Sequence, residues 1–418
     1  MEFRGLQSLA AASLLVFALP VGAAEPAGQL ERCLGGRDLP RVARVQLPDG
    51  RRVYARVTAD SEGVPTAAVP IADADLDLAA VFERASQRAL YDDAASFAIG
   101  SDELEPRLCA PVRLPQDEID AEQRMVVAAG VNYAAHAKEA GGGDVFLFPK
   151  PAAPTFAYGR LAPRPGVKLL DYEVELGFVL LADVNLSRLP SRDELLSRTA
   201  FFVANDFTDR EPIIVHAALT GPGTGFVEAK GQPGFLPVGP WMVRGSELFE
   251  ALAACGADGL GIRLAVDEGD GFQARQDEST AAMILPPLAL LAKLADEVAR
   301  KGLRSPMPVL RDGRTRHYPL AVDAAAPRLP AGSIVLTGTP GGVAIQAPSP
   351  LALAGRALLN LRSPFEQFRQ EELARAAAPG GYLAPGDRVR ASIDGLGTQI
   401  IRIGEPSANA AADPCGGT

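Results

Sequence analysis

The 418-residue chain has no surplus of basic residues, since 41 Lys and Arg stand against 51 Asp and Glu and the formal net charge is −10. Proteins that bind nucleic acids or anionic membranes do so through basic surfaces. The composition therefore excludes these polyanions as principal partners. With 22% charged and 47% hydrophobic residues, the chain is typical of a globular protein that is long enough for two domains.

The chain also lacks an apolar run long enough to cross a bilayer. Its N-terminal apolar stretch runs only from Leu9 to Leu19, after Arg4 and before small residues at 20–24. This pattern is typical of a secretory signal peptide. We therefore expect residues 1–24 to be removed and the mature protein to be periplasmic or secreted, without a membrane partner. Glu2 weakens the positive N-terminal region, so an uncleaved anchor is the alternative.

Closely spaced cysteine pairs are absent, which argues against a structural zinc site. The four cysteines lie far apart, at positions 33, 109, 255 and 415. In an oxidising compartment their even number allows two disulfides. We expect Cys33 to pair with Cys109 and Cys255 with Cys415. The two other pairings and four unpaired thiols are the alternatives.

No internal repeat occurs at a fixed period, and the pattern indicates a small β-rich domain with a linker at residues 25–118. Asp49-Gly50 predicts a hairpin turn within residues 41–57, residues 76–91 predict a helix, and residues 111–115 read as the linker. Residues 119–408 form the predicted catalytic domain, and residues 409–418 form a tail. The predicted class is α+β and β-rich.

The catalytic domain shows mostly strands separated by Gly and Pro turns. The predicted strands are residues 125–130, 169–181, 200–206, 235–243, 261–266 and 333–337. Few helices are predicted, and the clearest are residues 192–199 and 287–301. Residues 345–381 lack strong periodicity and read as an insertion that either covers a neighbouring surface or stays mobile.

Two carboxylates, Glu173 and Glu175, lie within one of the most apolar runs. On a strand they share one face and are roughly 7 Å apart. A divalent ion between them would offset their repulsion and the cost of burial. The alternative is an exposed edge strand whose Glu side chains face the solvent.

Asp206 follows another apolar strand, and Arg210 comes four residues later. Asp206 can complete a site of three carboxylates with Glu173 and Glu175. Oxygen ligands favour Mg²⁺ over Mn²⁺ or Ca²⁺ and argue against zinc and copper. The alternative is that Asp206 only caps a turn.

His136 and Glu139 are one turn apart if the segment after Tyr133 is helical. The carboxylate can then orient and support the imidazole as a base. The alternative is an ordinary surface pair on a solvated helix. The glycines at 141–143 follow at once and give the segment a hinge suited to a lid.

Two lysines and a Gly-rich turn complete the candidate residues. Lys150 and Lys230 stand beside Gly and Pro turns, where a fixed ammonium can hold a substrate carboxylate or stabilise an enolate. Either lysine can equally be a solvated surface residue. The turn at residues 337–343, which includes Thr339, can bind an oxyanion through its backbone and hydroxyl groups. It lacks the Lys and the spacing of a nucleotide P-loop.

Taken together, seven segments resemble, in order, the signature stretches of the fumarylacetoacetate hydrolase family. They are residues 130–139, 148–151, 171–176, 205–210, 237–241, 337–343 and 385–387. The resemblance covers about Met125 to Ile403 and implies a mixed β-sandwich or roll that is usually dimeric. It implies a divalent metal held by Glu173, Glu175 and Asp206.

The resemblance also implies roles for residues around that metal. His136 and Glu139 would form the base on a lid that closes over the substrate. Lys230 would act in catalysis, and Lys150, Arg210, Thr339 and Tyr133 would contact the substrate. Many members have Asp directly after the Arg and Gln three residues after it, whereas this chain has Glu211 and Ile213. The apolar Ile213 suggests a substrate other than fumarylacetoacetate, or a rotated pose.

These observations predict a metal-dependent hydrolase that cleaves a carbon-carbon bond in a 1,3-dicarbonyl or acylpyruvate-like acid. Its partners are then a small oxo acid and a second copy of the chain. A decarboxylase, tautomerase or hydratase for 2-oxo acids is the first alternative. An exported, non-catalytic oxo-acid binder is the second.

Overall fold

The computed structural model describes residues 28–87, 96–112, 125–220, 225–305, 309–311, 314–378 and 380–408. The predicted signal peptide, the domain boundary near residue 118, Cys415 and the C-terminal tail lie outside these residues. Within the described part of the chain, none of the helices is long and apolar enough to cross a bilayer.

The N-terminal part is a five-stranded antiparallel sheet in the order β4-β3-β2-β1-β5. Its strands are β1 Val42–Gln46, β2 Arg52–Ser61, β3 Val64–Asp73, β4 Phe97–Ala98 and β5 Leu108–Cys109. Its helices are α1 Gln29–Gly35, α2 Leu78–Ala85 and α3 Leu104–Arg107. The predicted hairpin is confirmed, and Gly50 has the positive φ of 85° that such a turn uses. The predicted helix forms over α2.

The catalytic part contains a mixed six-stranded sheet in the order β14-β12-β10-β20-β6-β7. Its strands are β6 Val126–Gly130, β7 Phe146–Pro149, β10 Val174–Leu180, β12 Thr199–Asn205, β14 Val243–Arg244 and β20 Ile334–Leu336. Every residue of β10 and β12 is buried. Both strands read as continuous apolar runs because both of their faces are covered.

A second five-stranded sheet, in the order β16-β15-β21-β22-β8, packs against β10 and β12. Its strands are β8 Tyr158–Leu161, β15 Gly261–Asp267, β16 Phe272–Ser279, β21 Arg388–Ile393 and β22 Gly397–Ile403. Three short pairs complete the strands: β9 Leu170–Asp171 with β13 Thr208–Asp209, β11 Val184–Asn185 with β19 Arg328–Leu329, and β17 Val309–Arg311 with β18 Arg314–Arg316. The mixed β-sandwich fold is thus confirmed.

Helices are more numerous than the sequence pattern predicted. Those of the catalytic part are α4 Ala134–Glu139, α5 Arg192–Ser197, α6 Arg210–Thr220, α7 Phe226–Lys230, α8 Gly245–Ala254, α9 Pro287–Lys301, α10 Pro350–Leu359 and α11 Pro364–Ala376. The predicted strand at 235–243 forms only isolated bridges before β14. Pro237 and Pro240 lie within it, and proline has no N–H to donate to a strand ladder.

The predicted insertion at 345–381 contains a helical hairpin, α10 and α11, and α11 packs on α6. Each helix begins with a Ser-Pro pair. The side chains of Ser349 and Ser363 accept the backbone N–H groups of Ala352 and Glu366. A serine cap followed by proline is a helix-start signal, and it indicates these two helices where apolar periodicity does not.

The disulfide prediction is wrong, because Cys33 at the end of α1 is bonded to Cys255 at the end of α8. The two cysteines are 222 positions apart. Nearby, Glu31 accepts the Gly395 N–H and Arg37 donates to the Ala254 carbonyl at 3.0 Å. Tertiary packing of α1 on the catalytic part therefore decided the pairing.

Candidate active site

The antiparallel register of β10 and β12 brings three carboxylates together. Val174 lies opposite Asn205, so Glu173 just before β10 and Asp206 just after β12 meet at one end of the pair. Glu175 is on β10 itself. One carboxylate oxygen of each residue lies within 4.8 Å of the others. Glu173, Glu175 and Asp206 are 4%, 1% and 0% exposed, and β10 is an inner strand, which excludes the exposed-edge alternative.

Two of these carboxylates are neutralised by buried cations. Lys230 Nζ donates to Glu173 Oε2 and Asp206 Oδ2, each at 2.7 Å, and to the Thr208 hydroxyl at 2.8 Å. Arg210 Nη2 donates to Glu173 Oε1 at 2.5 Å. Although burial opposes ionisation, the cations of Lys230 and Arg210 hold the pKa of Glu173 below its usual range. Glu173 is therefore a carboxylate at neutral pH.

Glu175 has no such counter-ion. Its Oε2 accepts the Gly338 N–H at 2.7 Å, while its buried Oε1 has no hydrogen-bond partner among the described residues. Burial raises the pKa of Glu175 well above its usual value, and the carboxylates of Asp206 and Glu173 raise it further. In this conformation the site is therefore short of one positive charge beside Glu175.

The buried charges around the cluster also include one more carboxylate than cations. Four buried carboxylates, those of Asp171, Glu173, Glu175 and Asp206, meet three buried cations, those of Lys150, Lys230 and Arg210. Carboxylate oxygens have lone pairs left for a further cation. Three carboxylates at this spacing suit a hard divalent ion. The cluster can therefore hold such an ion.

His136 and Glu139 lie one turn apart on α4, so the helical prediction for this segment is confirmed. His136 Nδ1 is 3.7 Å from Glu139 Oε2, which is an ion-pair distance too long for a hydrogen bond. His136 is only 7% exposed, unlike a surface histidine. Catalytic hydrogen bonds commonly tighten when the substrate binds. The pair is therefore placed to act as a base and its orienting group.

The Gly-rich turn at 337–343 contacts both acidic groups. Its Gly338 N–H binds Glu175, and its Gly342 N–H binds both oxygens of Glu139 at 2.9 and 3.1 Å. Gly342 has a φ of 102°, and a Cβ there would lie 2.0 Å from the Arg275 carbonyl oxygen. The position therefore requires glycine. The turn joins the acidic cluster to the base.

Lys150 and Tyr133 are fully buried in the core. Lys150 Nζ lies 2.5 Å from Asp206 Oδ1 and donates to the Lys230 carbonyl at 2.6 Å. Burial lowers the pKa of Lys150, and Asp206 opposes that effect. Tyr133 is 1% exposed. Neither side chain is among the residues that line the cavity, so direct substrate contact by either requires a rearrangement.

Two buried residues were not identified from the sequence. Asp171 accepts from Arg210 Nε at 2.8 Å and from the N–H groups of Ala344 and Ile345 at 2.9 and 3.2 Å. Gln276 donates to the Thr339 hydroxyl at 2.8 Å and accepts the Val174 N–H at 3.0 Å. Both fix chain segments that are distant in sequence. Asp171 follows Leu169 and Leu170, so a polar residue after apolar neighbours is its only local signal, whereas Gln276 lies in a polar segment and gives none.

The cavity beside the cluster has a volume of about 170 Å³. Its polar lining residues are His136, Glu139, Glu173, Arg210, Lys230 and Thr339. The structure thus brings six of the ten predicted site residues to one cavity, and Glu175, Asp206, Lys150 and Tyr133 lie in the surrounding core. The Thr339 hydroxyl itself donates to the Val174 carbonyl at 2.9 Å.

Two curated relatives are similar in sequence to parts of this chain. A 2,4-didehydro-3-deoxy-L-rhamnonate hydrolase of Sphingomonas sp. is 34% identical over 134 residues, which cover 29% of this chain and 42% of the relative. A mitochondrial oxaloacetate tautomerase of Schizosaccharomyces pombe is 35% identical over 126 residues, which cover 28% of this chain and 53% of the relative. The chain thus matches less than two thirds of either relative.

The fold is also that of a solved structure, the fumarylacetoacetate hydrolase of Exiguobacterium antarcticum. The likeness covers 87% of this chain and 99% of that one, with a TM-score of 0.50 and 20% identity. Residues 125–403 match the C-terminal domain of fumarylacetoacetate (FAA) hydrolase. This match spans more than half of the chain and contains the acidic cluster, the His136 and Glu139 pair and the Gly-rich turn. The chain therefore belongs to the fumarylacetoacetate hydrolase family.

Proposed function

We propose that this protein is a metal-dependent hydrolase that cleaves a carbon-carbon bond in a 1,3-dicarbonyl or acylpyruvate-like acid. One observation carries the proposal. The buried Glu175 has no counter-ion, and the cluster to which it belongs adjoins a cavity lined by His136 and Glu139. A divalent cation in the cluster and the candidate base would therefore both be close to a substrate bound in this cavity.

In this proposal Glu173, Glu175 and Asp206 hold the ion, and oxygen ligands favour Mg²⁺. When bound, the ion supplies Lewis-acid polarisation of a 2-oxo acid. Arg210 and Lys230, which line the cavity, provide the positive field that attracts the substrate carboxylate. The Thr339 hydroxyl, which donates to the Val174 carbonyl and accepts from Gln276, keeps one lone pair for a further polar contact.

The chain's own residues then move the protons. His136, with Nδ1 towards Glu139, takes a proton from water at its other ring nitrogen. The water oxygen bonds to the distal carbonyl carbon. The carbon-carbon bond breaks, and its electron pair passes into the enolate of the 2-oxo acid, whose charge Lys230 stabilises. Protonation of that enolate yields pyruvate, and the other fragment leaves as a carboxylic acid.

A tautomerase for 2-oxo acids is the second candidate. The relative named oxaloacetate tautomerase, 35% identical where it matches, favours it. In that reaction His136 would move a proton between carbon and oxygen without an attacking water. Related decarboxylases would instead release carbon dioxide.

The experiment is turnover of an acylpyruvate panel by the purified protein with Mg²⁺, with Mn²⁺ and after chelation, with products identified by mass. Metal-dependent release of pyruvate and a second acid supports the hydrolase. Exchange of substrate hydrogen for solvent deuterium without cleavage supports the tautomerase, and carbon dioxide indicates a decarboxylase. Metal-dependent binding with no product would leave a non-catalytic binder.

Location and assembly are further parts of the proposal. We propose a periplasmic or secreted homodimer. The Cys33 to Cys255 disulfide supports an oxidising compartment, because such bonds are rare in reducing cytosol. Cell fractionation and the mass of the N-terminal peptide test the location. Light scattering of the purified protein tests the dimer.

A further inference from the structure

The cavity has both polar and apolar lining residues. All six polar lining residues belong to the acidic cluster and its cations, to the candidate base pair or to the Gly-rich turn already described. The rest of the lining is apolar, and it comes from the end of β6, the end of α4, β7, α6, α7 and the insertion. Its larger side chains are Phe146, Phe148, Ile213, Ile214, Phe226, Ile345, Phe365 and Phe368.

The apolar side of the cavity is built on packed aromatic rings. Phe226 lies 5.1 Å from Phe146 and 5.6 Å from Phe148, measured between ring centroids. Such pairs form a stable wall because their rings pack at tilted or edge-on angles. The side is therefore preformed.

The insertion supplies the facing part of this wall. Phe365 and Phe368 extend from α11, and Ile345 precedes the helical hairpin. Ile213 on α6 adds an aliphatic side chain. The insertion thus contributes only apolar side chains to the lining of the cavity.

The cationic side chains that line the cavity are already engaged. Arg210 donates to Asp171 and Glu173, and Lys230 donates to Glu173 and Asp206. Arg369, next to Phe368 in sequence, donates to Glu211 at 2.5 and 2.8 Å. Lys230 Nζ also lies 5.7 Å from the ring centroid of Phe148. Its three N–H groups are already donated to Glu173, Asp206 and Thr208, so it has none left for a second carboxylate.

We infer that the substrate carries one carboxylate, at its 2-oxo acid end, and an uncharged apolar group at the other end. The inference rests on the proposed function and deepens it by naming the substrate class. The whole cavity has a free volume of about 170 Å³, little more than the volume of about 150 Å³ that holds benzene, so the apolar group is small and shares this space with the acid end.

The physical reason is that burial against the apolar wall favours an apolar group and disfavours a carboxylate. Each methylene that leaves water for an apolar wall strengthens binding about fourfold. A carboxylate placed there would lose its hydration and find no partner. The cavity therefore discriminates against dicarboxylic substrates of the same length.

The test compares three 2,4-dioxo acids of matched length, whose distal groups are phenyl, branched alkyl and carboxylate. We expect kcat/KM with Mg²⁺ to be at least 100-fold higher for the two apolar acids than for the dicarboxylate. Phe368→Ala should lower the apolar values at least tenfold. Leu351→Ala is the matched control on the same hairpin, since Leu351 is 89% exposed and outside the cavity.

Calorimetric binding of the same acids separates the two proposals. Cleavage with a preference for the dicarboxylate overturns this inference and keeps the hydrolase. Preferential binding of the apolar acids without turnover keeps the inference and overturns the hydrolase. If Ile213→Lys shifts the preference towards the dicarboxylate, the wall itself sets specificity. Binding of none of the acids overturns both.

Discussion

Glu139 holds the Gly342 N–H through both carboxylate oxygens while it lies 3.7 Å from His136 Nδ1. One side chain thus fixes the Gly-rich turn and faces the candidate base. Its charge and its hydrogen bonding can be separated by substitution, because an amide retains an acceptor oxygen but carries no charge.

Glu139→Gln should therefore lower kcat about 10²- to 10⁴-fold, the usual contribution of general-base catalysis. The melting temperature should stay close to the wild-type value because the amide oxygen still accepts the Gly342 N–H. The measurements are steady-state kinetics on the substrate found by the panel and thermal unfolding. Turnover near the wild-type rate would remove the pair from the mechanism.

A divalent ion should stabilise the protein through Glu175. At a free concentration 100 times the Kd, Mg²⁺ or Mn²⁺ should add about 2.7 kcal/mol to the free energy of unfolding. Glu175→Gln should abolish that gain. It should also raise the metal-free stability at neutral pH, because burial and the carboxylates of Asp206 and Glu173 penalise the charged form of Glu175, which the amide does not have.

Thermal unfolding with and without each ion measures both effects. Glu250→Gln is the matched control, since Glu250 is exposed on α8. An equal metal response in wild type and in Glu175→Gln would place the ion elsewhere.

Asp209 should make stability depend on pH. It is 6% exposed, and burial raises the pKa of its carboxyl to about 6. Because the folded state holds this proton more tightly than the unfolded state, the contribution to stability is greatest below about pH 4 and is lost as the pH rises through 6. Asp209→Asn, which resembles the protonated form, should stabilise the protein at pH 8 by about 2–3 kcal/mol.

This gain should shrink as the pH is lowered towards 4. Urea unfolding at pH 8, 6 and 5 measures it, with the exposed Asp270→Asn as control. A gain that is independent of pH would contradict the titration of Asp209.

The Cys33 to Cys255 bond should contribute substantially to stability, because it joins α1 to the end of α8 across 222 positions. The double variant Cys33→Ala and Cys255→Ala should lose about 2–5 kcal/mol of unfolding free energy. Urea unfolding of both proteins, without reductant, is the measurement. Peptide mapping that finds Cys33 bonded to Cys109 would refute the pairing.

Several features were determined by the sequence. The spacing of Glu173 and Glu175, the strand that Asp206 follows and the helix that carries His136 and Glu139 are local patterns. Seven ordered segments identified the family. Backbone periodicity fixes which side chains share a face. These predictions needed no knowledge of distant contacts.

Other features were decided only by tertiary structure. Neither the pairing of Cys33 with Cys255 nor the burial of Lys150 against Asp206 can be predicted from the neighbouring residues in the sequence. The same holds for Asp171, which joins Arg210 to the start of the insertion. The helical hairpin of the insertion became a wall of the cavity only by packing on α6. Each depends on which surfaces meet when the sheets pack, because desolvation selects partners in space and not in sequence.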